Sequence, residues 1–193
     1  ATRALDRAVT EPHEGNPTPN YTAFSPLVLK APDEPAYYLL GNYHPDLIDQ
    51  PYRKTDKPVH GRIRRQPSER NNLIIKQALL DKQNADRFGY STPVMGISKE
   101  SGNGVGDYTS LYGRLIENNI KVANDNTSPN ATNKKLEDFL AFSEVCGNRL
   151  VYIVEDTFPP ETLEAWYKEL EIFDGITPSS RTRFDDWVDA TSL

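Results

Sequence analysis

Cysteine and long apolar runs are almost absent from this sequence. Cys146 is the only cysteine among 193 residues, which excludes a disulfide framework and a multi-cysteine zinc site and is typical of a reducing compartment. No apolar stretch approaches the roughly 18–20 residues that a membrane-spanning helix needs, so we expect no membrane partner. The first residues lack the pattern of a secretory signal. We therefore interpret the glycosylation-like triplets at Asn126 and Asn130 as part of a polar loop.

An excess of positive charge is also missing. The 22 Lys and Arg residues are outnumbered by 28 Asp and Glu, giving a net charge of −6. This balance argues against a protein whose whole surface binds nucleic acid, although a local basic strip beside an acidic, metal-loaded centre is compatible with it. The hydrophobic content of 37% and aromatic content of 10% are enough for a folded core. The length predicts a single domain over residues 1–193.

The order of the predicted elements favours one fold class. Three stretches near the N-terminus have strand composition, and after an irregular, charged segment at 43–67 helices and strands alternate. The predicted strands are 1–9, 21–29, 36–42, 93–98, 120–123 and 150–154; the predicted helices begin at Pro67, 108, 133, 160 and 183. This order predicts an α/β protein with a mixed β-sheet flanked by helices on both faces. An RNase H-like fold has the same order, and we expect that fold here.

Acidic residues stand at the ends of three predicted elements. Asp6 lies in the first strand, Glu100 follows the fourth strand, and Asp185, Asp186 and Asp189 open the last helix. Hydrolysis of a phosphodiester by two metal ions needs carboxylates from separate elements that converge on ions about 3.5–4 Å apart. Mg²⁺ and Mn²⁺ prefer oxygen ligands, and the sequence offers no soft ligand set. The sequence therefore predicts a carboxylate site for two Mg²⁺ or Mn²⁺ ions.

The closing aspartates have a second interpretation. Helix capping and the helix dipole account for one or two of them. With 28 acidic residues in the chain, acids at the ends of three elements also occur readily by chance. Capping and the dipole account less well for a third, because neighbouring carboxylates repel one another unless a cation lies between them. Residues three apart share a helix face, so Asp186 and Asp189 should point the same way while Asp185 turns aside. We expect Trp187 and Val188 to pack inward and fix the direction of this helix.

Several segments together resemble the nuclease domain of tailed-phage terminase large subunits. The segment 185–190 is similar to the family's closing His-Asp-Asp-x-x-Asp-Ala, with Phe184 in place of His. The segment 4–8 is similar to its opening Trp-Asp-x-Ala, and Asn20-Tyr21-Thr22 to a following Asp-Tyr-Thr, with Asn in place of Asp. Further similar segments are the central strand with its glycine-bearing turn (97–106, where Ser98 is an alternative position for the acid), Asn133-Lys134-Lys135, 147–150, and the helix with Trp166, Glu169-Leu170 and Phe173.

The resemblance implies a metal-dependent endonuclease that cleaves double-stranded DNA with little sequence preference. Asp6, Glu100 and Asp186 would be the catalytic ligands, with Asp185 and Asp189 as further ligands. In the family this activity cuts viral DNA during packaging, together with an ATPase domain, a portal and a small terminase subunit, in the cytoplasm of the infected bacterial host. The sequence contains no Gly-x-x-x-x-Gly-Lys-[Ser/Thr], so we expect an isolated nuclease domain without its ATPase domain.

Two groups of basic residues are candidates for contacts with DNA phosphates. Arg62, Arg64 and Arg65 alternate with Gly61 and Ile63 in a predicted loop and could follow the backbone by charge, although a plain solvated loop explains them equally well. The next candidates are Lys134 and Lys135. We interpret the three histidines as solvated loop residues, namely His13, His44 and His60.

Two other functions remain open. Another RNase H-like nuclease, such as a junction resolvase or a transposase core, would also need clustered acids. Such a protein would not be expected to have the helix, strand and helix predicted at 133–173. A non-catalytic domain that binds DNA or a portal ring would use the acids only for capping. Titration with a metal separates this last function from the nucleases.

Overall fold

A computed structural model describes residues 2–6, 22–49, 57–98, 104–125, 131–173 and 186–192. These residues form eight strands in one sheet, five α-helices and one 3-10 helix. The strands are β1 (Thr2–Asp6), β2 (Thr22–Phe24), β3 (Leu27–Lys30), β4 (Tyr37–Leu40), β5 (Arg62–Ile63), β6 (Val94–Ser98), β7 (Lys121–Asp125) and β8 (Val151–Val154). The helices are α1 (Pro67–Phe88), α2 (Gly104–Glu117), α3 (Ala131–Gly147), α4 (Pro160–Ile172) and α5 (Asp186–Ser192), and the 3-10 helix is Glu155–Thr157.

β1 lies in the middle of the sheet. It is parallel to β6 on one side and antiparallel to β2 and β3 on the other. Outward from there, β6 is parallel to β7, β3 is antiparallel to β4, β4 is parallel to β8, and β2 is antiparallel to β5. Among the described strands, therefore, only β2 and β3 run against the direction of β1.

The second predicted strand is interrupted in the structure. We expected one strand at 21–29, but β2 and β3 are separated by Ser25 and Pro26. Proline has no N–H to give to a strand neighbour, which accounts for a break in the ladder at this point. The two halves then pair with different strands, because β2 contacts β5 while β3 contacts β4.

Each face of the sheet carries its own hydrophobic core. Phe24, Met95 and Ile97 pack with residues of α1 and α2, while Ala23 packs with Trp166 of α4 and Trp187 of α5. Ala23 and Phe24 are neighbours in β2, and successive strand residues point to opposite faces. The chain is thus a mixed α/β structure with helices on both faces, which confirms the predicted fold class at this level.

None of the helices within the described ranges is both long and apolar enough to cross a membrane. α1 has 22 residues, but its buried residues include polar and charged side chains. One of them, Gln77, accepts a hydrogen bond from the His44 backbone N–H at 2.7 Å and donates to the Asn42 carbonyl oxygen at 3.1 Å. α1 therefore anchors the segment that leads towards β5.

Candidate metal centre

Two parallel strands end together at one edge of the sheet. Asp6 is the last residue of β1, and β6, which pairs with β1 in parallel register up to Leu5 and Ile97, ends at Ser98. Parallel neighbours in register bring their carboxyl ends to the same edge. Glu100 follows Ser98 by two positions and lies outside the described residues.

The row of the sheet that contains Asp6 extends across two more strands. The Cα partner of Asp6 in β2 is Ala23, and the partner of Ala23 in β5 is Arg62. Of Asp6 the structure describes the backbone within β1 and not the side chain. Its position at the end of the central strand is nevertheless fixed by this register.

The first turn of α5 packs against this row. Trp187 shares a core with Ala23, its indole Nε1–H donates to the Gly61 carbonyl oxygen at 3.2 Å, and the Arg62 guanidinium lies 4.8 Å from the centre of its ring. α5 packs on both β1 and β2. Trp187 and Val188 are fully buried, which confirms the prediction that they would pack inward.

The start of α5 therefore lies beside the carboxyl end of β1. Asp186 is its first residue, directly before Trp187, and Asp189 follows one turn later. The backbones of these two aspartates are described, but their side chains are not, and Asp185 lies outside the described residues. The assignment of Asp6, Glu100, Asp185, Asp186 and Asp189 as metal ligands stays a prediction.

A buried carboxylate from another helix caps α5. Glu169 of α4 is 5% exposed, and its Oε1 accepts hydrogen bonds from the backbone N–H groups of Trp187 at 2.5 Å and Val188 at 3.3 Å. These are the second and third residues of α5, whose amides have no partner within the helix. In many helices the side chain of the residue before the helix caps these amides. Here the cap comes from Glu169, which belongs to a different helix, α4.

Glu169 belongs to a buried group of charges. Its Oε2 lies 4.0 Å from Nη1 of Arg62, and Nε of Arg62 lies 3.9 Å from Oδ2 of Asp49. Buried charges are stable only when paired and hydrogen-bonded, and this group joins α4, β5 and the segment before β5 to the start of α5. Sequence reasoning missed Glu169 in this role. The available signal was a carboxylate on the same face of α4 as Trp166, since residues three apart share a helix face.

The three arginines near β5 are more enclosed than predicted. The alternative of a plain solvated loop is wrong, because Arg62 belongs to β5 with a side chain only 17% exposed and Arg64 is buried. Arg65 is largely buried as well, and its Nε lies 3.2 Å from Oε1 of Glu69. The described contacts of Arg62 are internal, and contact of Arg62, Arg64 or Arg65 with DNA stays a prediction.

The remaining basic candidates lie elsewhere. Lys134 and Lys135 belong to the first turn and a half of α3, and their side chains lie outside the described set. His60 is partly buried, so it is not the solvated residue that the sequence predicted, and burial lowers the pKa of its imidazole while Glu161 opposes that shift. His44 accepts a hydrogen bond on Nδ1 from the Asp46 backbone N–H at 3.1 Å. His13 lies outside the described residues.

Among the side chains that the structure describes, no three His, Cys, Asp or Glu residues are grouped so that they could hold a metal ion. None of the five predicted ligands has a described side chain.

No protein-family model, no curated protein and no solved structure matches this chain. The resemblance to terminase nuclease domains accordingly rests on the sequence motifs alone.

Proposed function

We propose that this chain is an RNase H-like, metal-dependent endonuclease that cleaves double-stranded DNA with little sequence preference. The observation that carries the proposal is the meeting of two predicted ligand positions at one edge of the sheet. Asp6 ends the central strand, and the turn that begins with Asp186 packs on the row to which Asp6 belongs. These residues are 180 positions apart in the sequence, so only the fold brings them together.

The strand order supports the RNase H-like part of the proposal. Three strand segments, β1, β2/β3 and β4, form an antiparallel unit, and β6 and β7 extend it in parallel on the far side of β1. Early strands followed by alternating helices and strands are the element order that we expect of an RNase H-like fold. In open sheets of this kind ligands bind at the carboxyl ends of the strands, and that is where Asp6 lies.

The donor chemistry fits Mg²⁺ or Mn²⁺. The proposed ligands are Asp6, Glu100 and Asp186, supported by Asp185 and Asp189, and all of them offer carboxylate oxygens from three separate segments. When bound, two such ions supply an activated water and stabilise the leaving 3′-oxygen. The protein has to hold the carboxylates in place. β1 carries Asp6, and Trp187 and Glu169 fix α5, which carries Asp186 and Asp189.

The wider setting is proposed from the motif resemblance alone. As part of a terminase, the domain would act on viral DNA in the cytoplasm of an infected bacterium, together with an ATPase domain, a portal and a small terminase subunit. A junction resolvase or transposase core is a weaker candidate, because such a protein would not be expected to have the helix, strand and helix at 133–173, and the structure has α3, β8 and α4 there. α4 also supplies the cap of α5.

The proposal is tested with supercoiled plasmid. We expect nicking and linearisation with Mg²⁺ or Mn²⁺ and none with a chelator. Asp6→Asn should abolish cleavage and leave the melting temperature equal or higher, because removing one of several crowded carboxylates relieves repulsion in the metal-free protein. The matched control is Asp33→Asn, which makes the same change at an exposed turn and should cut like the parent.

Two results would count against the proposal. A parent protein that is inert with both metals at high concentration, and that shows no heat of Mn²⁺ binding, would favour a non-catalytic domain. Normal cutting by Asp6→Asn, purified in parallel with the parent, would show that β1 does not supply a ligand.

A further inference from the structure

α5 is too short to be stable without contacts to the rest of the protein. It has seven residues, and isolated helices shorter than about 12–15 residues are marginal in water. Its place beside β1 therefore depends on the groups that bind it from outside. Any residue that fixes this helix also fixes the backbone of Asp186 and Asp189.

Three groups from outside the helix lie at its first turn, namely the Glu169 carboxylate, the Gly61 carbonyl and the Arg62 guanidinium. Glu169 accepts the N–H groups of Trp187 and Val188 at 2.5 and 3.3 Å. The Trp187 indole donates to the Gly61 carbonyl oxygen at 3.2 Å. The Arg62 guanidinium lies between them, 4.0 Å from the Glu169 carboxylate and 4.8 Å from the centre of the indole ring.

We infer that Glu169 is a positioning residue that sets the orientation of α5 and thereby the metal affinity of the candidate centre. The inference rests on the proposed function, since it assumes that Asp186 and Asp189 bind metal. The described hydrogen bonds of the Glu169 carboxylate are accepted from the backbone of α5, and its charge is paired with Arg62. Its effect on the metal is therefore exerted through α5.

The effect should appear in metal affinity more than in turnover at saturating metal. Residues that orient metal ligands from outside the coordination sphere typically change metal affinity or activity by about 10–100-fold when replaced. Glu169→Ala removes both the acceptor oxygens and the charge. Glu169→Gln removes the charge but keeps one oxygen that can accept the same amides.

The experiment measures plasmid cleavage against Mn²⁺ concentration for the parent, Glu169→Ala and Glu169→Gln. Glu169→Ala should raise the half-saturating Mn²⁺ concentration at least about tenfold, with much of the maximal rate recovered at high Mn²⁺. Glu169→Gln should lie between Glu169→Ala and the parent. The control is Glu164→Gln, which removes a charge from the exposed side of the same helix and should match the parent. Amide hydrogen exchange at Trp187 and Val188, which should be faster in Glu169→Ala, reports the contact without any cleavage.

The outcomes separate the inference from the function beneath it. If the parent neither cleaves nor binds Mn²⁺, the proposed function fails and the inference fails with it. If the parent cleaves and Glu169→Ala keeps the parental Mn²⁺ dependence, only the inference is overturned. Equal weakening in Glu169→Ala and Glu169→Gln would also overturn it, because that pattern shows a loss of negative charge and not of position. If Glu169→Ala does not fold, Glu169→Gln decides: a raised half-saturation with faster exchange supports the inference, and a parental half-saturation overturns it.

Discussion

Replacing Gly61 with alanine should destabilise the protein through two separable effects. Gly61 has a φ of +85°, a region that side chains with a Cβ rarely adopt, and an added Cβ would lie 2.6–3.0 Å from three ring atoms of Tyr43. The ring has little room to move, because Tyr43 is buried and its hydroxyl donates to the Phe24 carbonyl oxygen at 3.2 Å. The alanine must therefore strain the backbone and displace a packed aromatic side chain.

The magnitude follows from these two effects. A left-handed backbone costs a residue with a Cβ about 1–2 kcal/mol. Forcing an additional carbon into a packed interior costs about 1–3 kcal/mol. We expect Gly61→Ala to lower the free energy of unfolding by about 3 kcal/mol in total. With a urea m-value of about 2 kcal/mol per M, the unfolding midpoint should fall by about 1.5 M.

Gly89→Ala is the matched control. Gly89 ends α1 with a φ of +73°, but a Cβ there would meet no atom within 4 Å. It should therefore show only the backbone effect, a fall in midpoint of about 0.5–1 M. Equal shifts for the two variants, with unchanged m-values, would refute the reasoning, because they would show that Tyr43 yields to the new carbon at no cost.

Two further predictions concern the candidate site and its surroundings. Asp186→Ala should remove cleavage, Asp189→Ala should raise the Mn²⁺ requirement, and Asp185→Ala should matter least; an inactive Asp185→Ala with an active Asp186→Ala would show that the predicted helix phase is wrong by one residue. For His60, burial lowers the pKa in the folded state, so the unfolded state binds more protons below its pKa of about 6.5. The free energy of unfolding should thus decrease as pH falls below about 6.5. Urea unfolding at pH 5–8 should show a weaker dependence on pH for His60→Gln than for the parent. The same pH dependence in both proteins would contradict a lowered pKa of His60.

The long helices and buried strands could be predicted because their signals are local. Pro67 suits the first turn of a helix, and α1 does begin there, with its apolar residues Leu73, Ile74 and Ala78 buried. The strand predicted at 93–98 corresponds to β6. In each case a proline or an apolar repeat within one element carries the information, so no tertiary contact is needed to find it.

β5 could not be predicted in the same way. It has two residues, too few to show any periodicity, and it exists because of contacts with distant segments. The Gly61 N–H donates to the Leu47 carbonyl oxygen at 3.0 Å, and the Phe24 N–H donates to the Gly61 carbonyl oxygen at 2.8 Å. The sequence around it is charged and rich in arginine, which is why we predicted an irregular loop there.

The candidate site was only partly accessible to sequence reasoning. The motifs indicated which acids to consider, and the local composition placed Asp6 within the first strand, whereas the structure ends that strand at Asp6. The neighbourhood of α5 and β1 depends on how the sheet is ordered, and the role of Glu169 depends on how α4 packs. Neither follows from spacing, because Glu169 precedes the amides that it binds by 18 and 19 positions, with residues 173–185 between the two helices.

The cap from Glu169 bears on why the sequence has three aspartates so close together, Asp186 and Asp189 in α5 and Asp185 directly before Asp186 in the sequence. A carboxylate near a helix N-terminus typically contributes about 0.3–1 kcal/mol through the dipole. Here the amides of Trp187 and Val188 already bind one buried carboxylate, so further aspartates would gain less from capping. They would also add like charge beside Glu169, whose described ion pair is with Arg62. Capping alone therefore gives a weak reason for three acidic residues at this position. A divalent cation bound between Asp6 and α5 would attract each carboxylate, and that attraction would outweigh the repulsion between them.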